Sequence, residues 1–560
     1  MTREKRSGSL GSLGEKLLEL GFRPTETIGK TAKKSLKAKP QDASHKSPKK
    51  GKAKAPNPKR GRKRKYPNAD RYLKAIERQK TRQGQGREQE LGLGHNVMVQ
   101  SESEPKQDLP EDILRHLEGL SLTARPSRPI ENLAPSDADI SEIATRYLRA
   151  NEFFENDRSF SNGVEEEVAI GFDLGSTTSK LVARFPYNPT LGAHAIPAPN
   201  GFRADGHPYY WKTLIYEQPD GTMSLHQAVE GKALTQFKQD FLSLSKRGRL
   251  LSETGTVETV TTFMALMLKQ SIGWLVTTLS QTLADRRVNF SANFGFPAEL
   301  ADSEDAMDVF RTCGQAALAL ACSSSSITRQ SVRDTLRDVK ENGSDLEVAV
   351  VPEFVGAVLG YFQSARGRPG KYLLCDYGGL TCDCVLFGFG KPSEGESRIS
   401  IFSAKVRNLG SDVLDTAVEK GFPLKSLRHA LSYFARHPVI DAYPKIGPHS
   451  PIWKGDLPLF QIGGGRSNPA YEGIFALAEK GIKKSNYATH FQRYSLDLGE
   501  AEGVDTTLTV GRNSSRLLVA LGLSWSVYDM PEWVPSSQIR EFTRAEKVDI
   551  AERYIGSESM

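Results

Sequence analysis

The stretch VAIGFDLGSTTSKLVARF, residues 168–185, decides how the rest of the chain is read. An apolar run enters an Asp-x-Gly-Ser-Thr-Thr turn, and a second alternating run leaves it with Lys180 near its start. Period-two alternation on both sides of a short turn predicts a β-hairpin. Asp and Gly alone are ordinary turn residues. Three hydroxyls and a lysine in the same bend are not required by turn geometry, so the bend is a candidate site.

The residue types suit a metal-bound polyphosphate. Gly175 lets a polyanion approach backbone N–H groups closely, and Ser176, Thr177 and Thr178 add hydroxyl donors. Lys180 supplies positive charge. Asp173 would repel phosphate unless a divalent cation lay between them, and Mg²⁺ is commonly held through one or two carboxylates and several waters.

The pattern recurs in KYLLCDYGGLTCDCVLFGF, residues 371–389, where Asp376 takes the place of the acid. Gly378 and Gly379 give close approach, Thr381 offers a hydroxyl, and Asp383 is expected to support the turn. Small-residue helices are expected at 355–361 and 517–523, one in each half. Between these landmarks, YYWKTLIYE (209–217) and VNFSANFGFP (288–297) read as strands and 255–284 as a helix. LPLFQIGGGRSNP (457–469) reads as a strand ending in three glycines, and RLLVALGLSWSV (516–527) as a helix. Two similar halves facing each other would leave a cleft lined by both acidic turns.

Charge divides the 560-residue chain. Residues 1–90 hold 27 Lys/Arg against 9 Asp/Glu, and the remainder 48 against 58, so the overall +8 belongs to the N-terminal part. Residues 31–65 carry 15 Lys/Arg and one acid, Asp42, too little apolar surface to offset chain entropy. This region is expected to be disordered, ADRYLKAIERQKTRQ (69–83) has helical spacing and is expected to fold on contact, and residues 31–83 together are expected to bind nucleic acid or another polyanion nonspecifically. Ser136 followed by DADISEIATRYLRANEFF predicts an N-capped amphipathic helix. No secretory signal or transmembrane run is expected. FMALMLKQSIGWLV is broken by Lys269 and Gln270, and five cysteines suit a reducing compartment, which points to the cytoplasm, or the nucleus of a eukaryote. Cys375, Cys382 and Cys384 read as small core residues of a hairpin.

The order FDLGSTTSK, VVPEFVGAVLGY, LLCDYGGLTCDCVLF, FQIGGGRSNP, LLVALGL resembles the five nucleotide-site motifs of the actin, sugar-kinase and heat-shock chaperone ATPases. These are phosphate 1, connect 1, phosphate 2, adenosine and connect 2. Within that superfamily the nearest resemblance is to DnaK-type heat-shock chaperones. DYGGLTCDCVLF is similar to their second phosphate motif, and VRNLGSDVLDTAV (406–418) to the segment that follows it. The resemblance implies an α/β fold of actin-like ATPase (ribonuclease H-like) type. It would have two lobes and duplicated subdomains, behind a basic disordered N-terminal region. The boundaries would be a tail and linker at 1–135, a helical lead-in at 136–164, the ATPase domain at 165–530 and a C-terminal tail at 531–560.

It also implies roles. Asp173 and Asp376 would contact Mg²⁺ through water, and Gly175, Ser176, Thr177, Thr178 and Lys180 would bind phosphates of ATP or ADP. Glu353 would stand near the metal and the attacking water, which Asp376 would help orient. Gly378, Gly379 and Thr381 would grip the β- and γ-phosphates, and Gly463, Gly464 and Gly465 the adenosine, with Arg466 or Ser467 near the base. Gly356, Ala357, Ala520 and Gly522 would let two helices cross as a hinge. The chaperones' catalytic lysine would be Lys232 or Lys238. Leu380 replaces a family glycine, and 34 residues follow Ser526, so slow hydrolysis and no peptide-binding domain are expected. The function implied is an ATP-dependent switch acting on a protein partner or client. The rivals are an actin-like filament protein, a small-molecule kinase of the same fold, and a non-hydrolysing nucleic-acid-binding protein.

Overall fold

Residues 168–185 fold as the hairpin that their pattern predicts. In a computed structural model, β1 (Val164–Asp173) runs antiparallel to β2 (Thr178–Arg184), with Asp173 opposite Lys180. The structure describes residues 164–541, apart from 205, 227–230, 280–282, 284–285, 365, 391–396, 448, 454, 485–489, 495 and 497–513, together with Glu111, Ile113, Leu114, Leu117 and Ala144. The basic segment 31–83 lies outside these residues, as do nearly all of 1–163 and all of 542–560.

The chain continues through β3 (Ala193–Ala195), β4 (Trp211–Lys212), β5 (Ile215–Glu217), β6 (Met223–Ser224) and β7 (Lys232–Leu234). Two helices follow, α1 (Phe237–Lys246) and α2 (Thr254–Thr278). Next come β8 (Arg286–Phe296), α3 (Glu304–Cys322), α4 (Arg329–Asn342), β9 (Val348–Pro352) and α5 (Glu353–Gln363). The second half opens with β10 (Gly370–Tyr377), β11 (Cys382–Gly390) and β12 (Arg398–Arg407). It proceeds through α6 (Ser411–Glu419), α7 (Leu424–Ile446), β13 (Asp456–Ile462), α8 (Ile474–Lys484), β14 (His490–Tyr494), α9 (Leu518–Leu523) and β15 (Glu532–Val534).

These strands make a mixed α/β structure with two six-stranded sheets. One has the order β3-β2-β1-β8-β9, with β4 also pairing β2; the other has the order β14-β13-β10-β11-β12-β15. Read from β12, the second sheet repeats the first. An antiparallel β12-β11-β10 meander matches β3-β2-β1, and parallel β13 and β14 match β8 and β9. The described residues belong to one unit, 108–560.

Local chemistry explains the helix ends. Ser303 caps α3 by accepting from Ala306 N, and Thr328 and Ser331 form a reciprocal capping box on α4. The helix α2 is buried on most sides, yet its Lys269 Nζ donates to the carbonyls of Ser323 and Ser325, just past the C-terminal end of α3. No helix among the described residues is long and apolar enough to cross a membrane.

Two expected elements differ. YYWKTLIYE is not one strand; it divides at Thr213 into β4 and β5, which lie in different sheets. Thr213 is drawn off the strand path because its N–H donates to Thr177 O and its hydroxyl to Gly175 O. The helix expected over 516–527 is α-helical only at Leu518–Leu523. Asn293 Nδ2 binds the carbonyls of Leu523 and Trp525, ending the helix against β8. The segment expected as a tail from 531 contributes β15, with Val534 buried.

The helices α5 and α9 cross at backbone contact. A Cβ on Gly522 would lie 1.9 Å from Gly356 O, and one on Gly171 of β1 would lie 2.1 Å from Ala520 O. Gly360, one turn along α5, faces open space. Gly522→Ala should therefore destabilise the protein by about 1–3 kcal/mol, the ordinary range for overpacking. Gly360→Ala should be neutral or stabilising by up to ~1 kcal/mol through helix propensity. Urea unfolding of the two variants checks this, and equal effects would contradict the crossing.

Candidate functional site

Each hairpin carries its acid at the end of the incoming strand and a glycine-bearing turn directly after it. A Cβ on Gly175 would lie 1.9 Å from Thr178 O, so only glycine closes the first turn this tightly. In the second, Gly378 N donates to Thr381 O at 2.9 Å. The start of α6 braces this turn from outside: Ser411 N donates to Gly378 O and Asp412 N to Gly379 O. This is the structural use of the LGSD segment after β12.

The two turns meet. A Cβ on Gly379 would lie 2.6 Å from Thr177 Oγ1, which places them in direct contact. Between them opens a cavity of about 380 Å³. The first hairpin gives it Asp173, Gly175, Ser176, Thr177, Thr178 and Lys180; the second gives Asp376, Gly378, Gly379, Thr381 and Asp383. Glu353, first residue of α5, enters from one side, and Gly463, Gly464 and Gly465 after β13 from another. Gly463 has φ +89°, and a Cβ there would lie 2.3 Å from Asp376 Oδ1, so the chain passes directly over that carboxyl.

Buried charge dominates the cavity. Lys180 Nζ donates to Asp173 Oδ2 at 2.8 Å, and Lys238 Nζ donates to Glu353 Oε1 at 2.7 Å. Burial is the leading influence on both members of the second pair and disfavours charge on each; for Glu353 it raises the carboxyl pKa. For Lys238 the carboxylate at hydrogen-bond distance outweighs burial and holds the ammonium pKa above its ordinary value, so the proton stays on nitrogen. Asp376 and Asp383 have no such partner among these contacts. Burial first, then the charges of Asp173 and Glu353, pushes Asp376 up to about 7. Burial, Glu353 and Asp376 push Asp383 well above the usual carboxylate range. Ser176 Oγ and Asp383 Oδ1 are buried with no hydrogen-bond partner. Unsatisfied buried polar atoms in a polar cavity mark a place built for a ligand or water.

Arg466 and Ser467 are not among the lining residues. The short 3₁₀ turn Gly464–Ser467 carries their side chains into solvent, closed by Asn468 N donating to Gly465 O. Of the two lysines left open by the sequence, Lys238 lines the cavity and Lys232 lies exposed on β7. The signal for Lys238 was its placement: it precedes Phe241 and Leu242 by three and four residues, on the buried face of α1. Lys212, Ser411, Asp412 and Arg516 also line the cavity and were not anticipated. Arg516 is contributed by tertiary approach alone, with no local pattern to announce it. Cys375, Cys382 and Cys384 are buried behind the second turn as free thiols whose pKa values burial raises, the condition of core residues.

Asp376 links the cavity to stability. Its folded value of about 7 exceeds the ordinary 3.8 of the unfolded chain, so the folded state binds the extra proton between those limits. Stability therefore falls as pH rises from about 4 to about 7, by up to ~1.4 kcal/mol per pH unit from this group. Asp376→Asn removes the effect. The variant should be more stable than the parent at pH 8, with the difference shrinking toward pH 4, as read by urea unfolding. A pH-independent difference would contradict the assignment.

No family model matches the chain and no curated protein matches it, so the functional reading rests on this geometry.

Proposed function

We propose that the chain is a Mg²⁺-dependent ATPase that binds ATP between two lobes of an actin-type fold and serves as a slow nucleotide switch. The observation that carries the reading is the convergence of two acid–glycine turns, from separate sheets of the same strand order, on one cavity. Two hairpins offering glycine backbone, hydroxyls and a lysine to one space suit a chain of phosphates far better than a single anion.

The donor set also suits the metal. Asp173 and Asp376 supply hard carboxylate oxygens, and Ser176 Oγ and Asp383 Oδ1 are unsatisfied beside them. Among the described residues no group of three or more His, Cys, Asp or Glu side chains is placed to hold a metal ion directly. Asp173 and Asp376 would accordingly hold Mg²⁺ through waters. When bound, Mg²⁺ would offset phosphate charge.

The chain's own groups would do the rest. Backbone N–H groups of the two turns, with Lys180, would hold the β- and γ-phosphates. Lys238 fixes the Glu353 carboxylate, which together with Asp376 would accept hydrogen bonds from a water in line with the γ-phosphorus. Water oxygen would bond to that phosphorus, the bond to the bridging oxygen would break, and ADP would leave with the electron pair. Asp376 would take up the water's proton. Opening and closing of the lobes about the α5–α9 crossing would be the output, read by a protein partner. The basic segment 31–83 would add nonspecific binding to nucleic acid or another polyanion.

Lys180 favours one further reading, an actin-type ATPase that forms filaments, because the chaperones usually lack a lysine there. ATP-dependent pelleting would favour that reading over a monomeric switch.

Phosphate release from Mg²⁺-ATP by the full-length protein tests the site. Asp376→Ala should lower turnover by ~10²-fold or more, the scale of removing a transition-state contact, while far-UV circular dichroism stays unchanged. Equal rates in parent and variant would sink the proposal.

A further inference from the structure

Arg516 reaches the cavity from an element that neither hairpin supplies. It lies in the 3₁₀ turn Ser514–Leu517 leading into α9. Its Nη2 donates to Thr178 Oγ1 at 3.0 Å, and its guanidinium lies over the Tyr210 ring, 4.0 Å from the centroid. Gly464 makes room for it, since a Cβ there would sit 2.7 Å from Arg516 Nε. The side chain thus spans from the first residue of β2, in one sheet, to the glycine loop after β13, in the other.

Position and chemistry point the same way. Asp173, Lys180, Lys238 and Glu353 are buried, whereas Gly464 is exposed and Arg516 half-buried, so Arg516 stands at the outer end of the cavity. A planar guanidinium presents paired N–H groups that match two phosphate oxygens. Nη2 and the Thr178 hydroxyl are within hydrogen-bond distance of each other, so an oxygen bound by one is within reach of the other. The cation–π contact with Tyr210 sets the plane of the fork. The helix α9, which follows directly, packs backbone to backbone on Gly171 and Gly356.

We propose that Arg516 is a phosphate ligand. Together with Thr178 it binds the phosphate farthest from the carboxylates, in a nucleoside triphosphate or an inorganic tripolyphosphate, and it sets the affinity for either. This rests on the polyphosphate reading of the cavity and adds to it a residue that bridges the two sheets across the bound anion.

Isothermal titration of the full-length protein with Mg²⁺-ATP and with Mg²⁺-tripolyphosphate tests it. Arg516→Gln should weaken both ligands by roughly 10–100-fold, the scale of a lost charge-assisted contact. Its affinity should also fall less steeply with added salt than the parent's. Arg516→Lys, which keeps the charge and loses the fork, should recover part of the affinity and the parent's salt dependence. Parent protein that binds neither ligand would defeat the polyphosphate reading itself. Parent protein that binds, with Arg516→Gln binding equally well, would overturn the Arg516 proposal alone. Weakening of ATP but not tripolyphosphate would overturn it too, placing the contact on the nucleoside. So would Arg516→Lys as weak as Arg516→Gln with no change in salt dependence, the mark of a strut resting on Tyr210.

Discussion

Everything near the cavity answers to one constraint, the gathering of more carboxyl groups than ammonium groups around a single polar space. Asp173, Glu353, Asp376 and Asp383 share it with Lys180 and Lys238, each of these lysines already placed on an acid, while Asp412, Lys212 and Arg516 line it as well. An unpaired carboxylate out of water costs several kcal/mol. The folded chain responds by raising the pKa values of Asp376 and Asp383, which lets them keep protons that they would lose in solution. Within the protein, Asp383 Oδ1 and Ser176 Oγ have no hydrogen-bond partner. A fold selected only for stability would replace such a cluster with apolar side chains. The proposed Mg²⁺-bound polyphosphate would enter this cavity and offset that charge.

The surrounding architecture can be understood as what holds that cluster in place. Asp173 ends β1 and Asp376 is the last residue but one of β10, and each strand is flanked on one side by its hairpin partner and on the other by a parallel strand. Asp376 is thereby paired on both sides, to Asp383 and Ile462, and Asp173 on one, to Lys180. The turns that follow are tied from outside, the first by Thr213 and the second by the amides at the start of α6. Glycines at 171, 356 and 522 allow α9 to lie against β1 and α5 without intervening side chains. A joint with backbone on both faces transmits a shift of one element to the next with little slack.

Much of this was legible in the sequence, for reasons that also explain what was not. The hairpins were legible because alternation and turn chemistry are local, and the glycine run after β13 because three glycines have few other uses. Asp383 was legible in part: it follows Asp376 by seven residues, as Lys180 follows Asp173, and both pairs are opposite each other across their hairpins. Thr213 broke an expected strand because its hydrogen bonds go to a turn 38 residues earlier, which periodicity cannot register. Arg466 and Ser467 followed the glycines in sequence but leave the cavity because the backbone turns there. Lys238 could be singled out over Lys232 only once α1 was seen to bury Phe241 and Leu242.

The seven-residue correspondence carries the last step. Two hairpins of the same geometry place different partners opposite their acids, a lysine at Lys180 and a second carboxyl at Asp383. The first hairpin is neutral by itself, whereas the second gains charge whenever its acids ionise. With the turns in contact, this asymmetry sets a direction across one cavity: an anion is favoured at the Lys180 side and a cation at the Asp376–Asp383 side. A phosphate chain carrying a divalent cation has that polarity, and neither a simple anion nor a simple cation does. The two hairpins share their geometry and differ at this one position, and the proposed ligand would meet a lysine at one end and a pair of acids at the other.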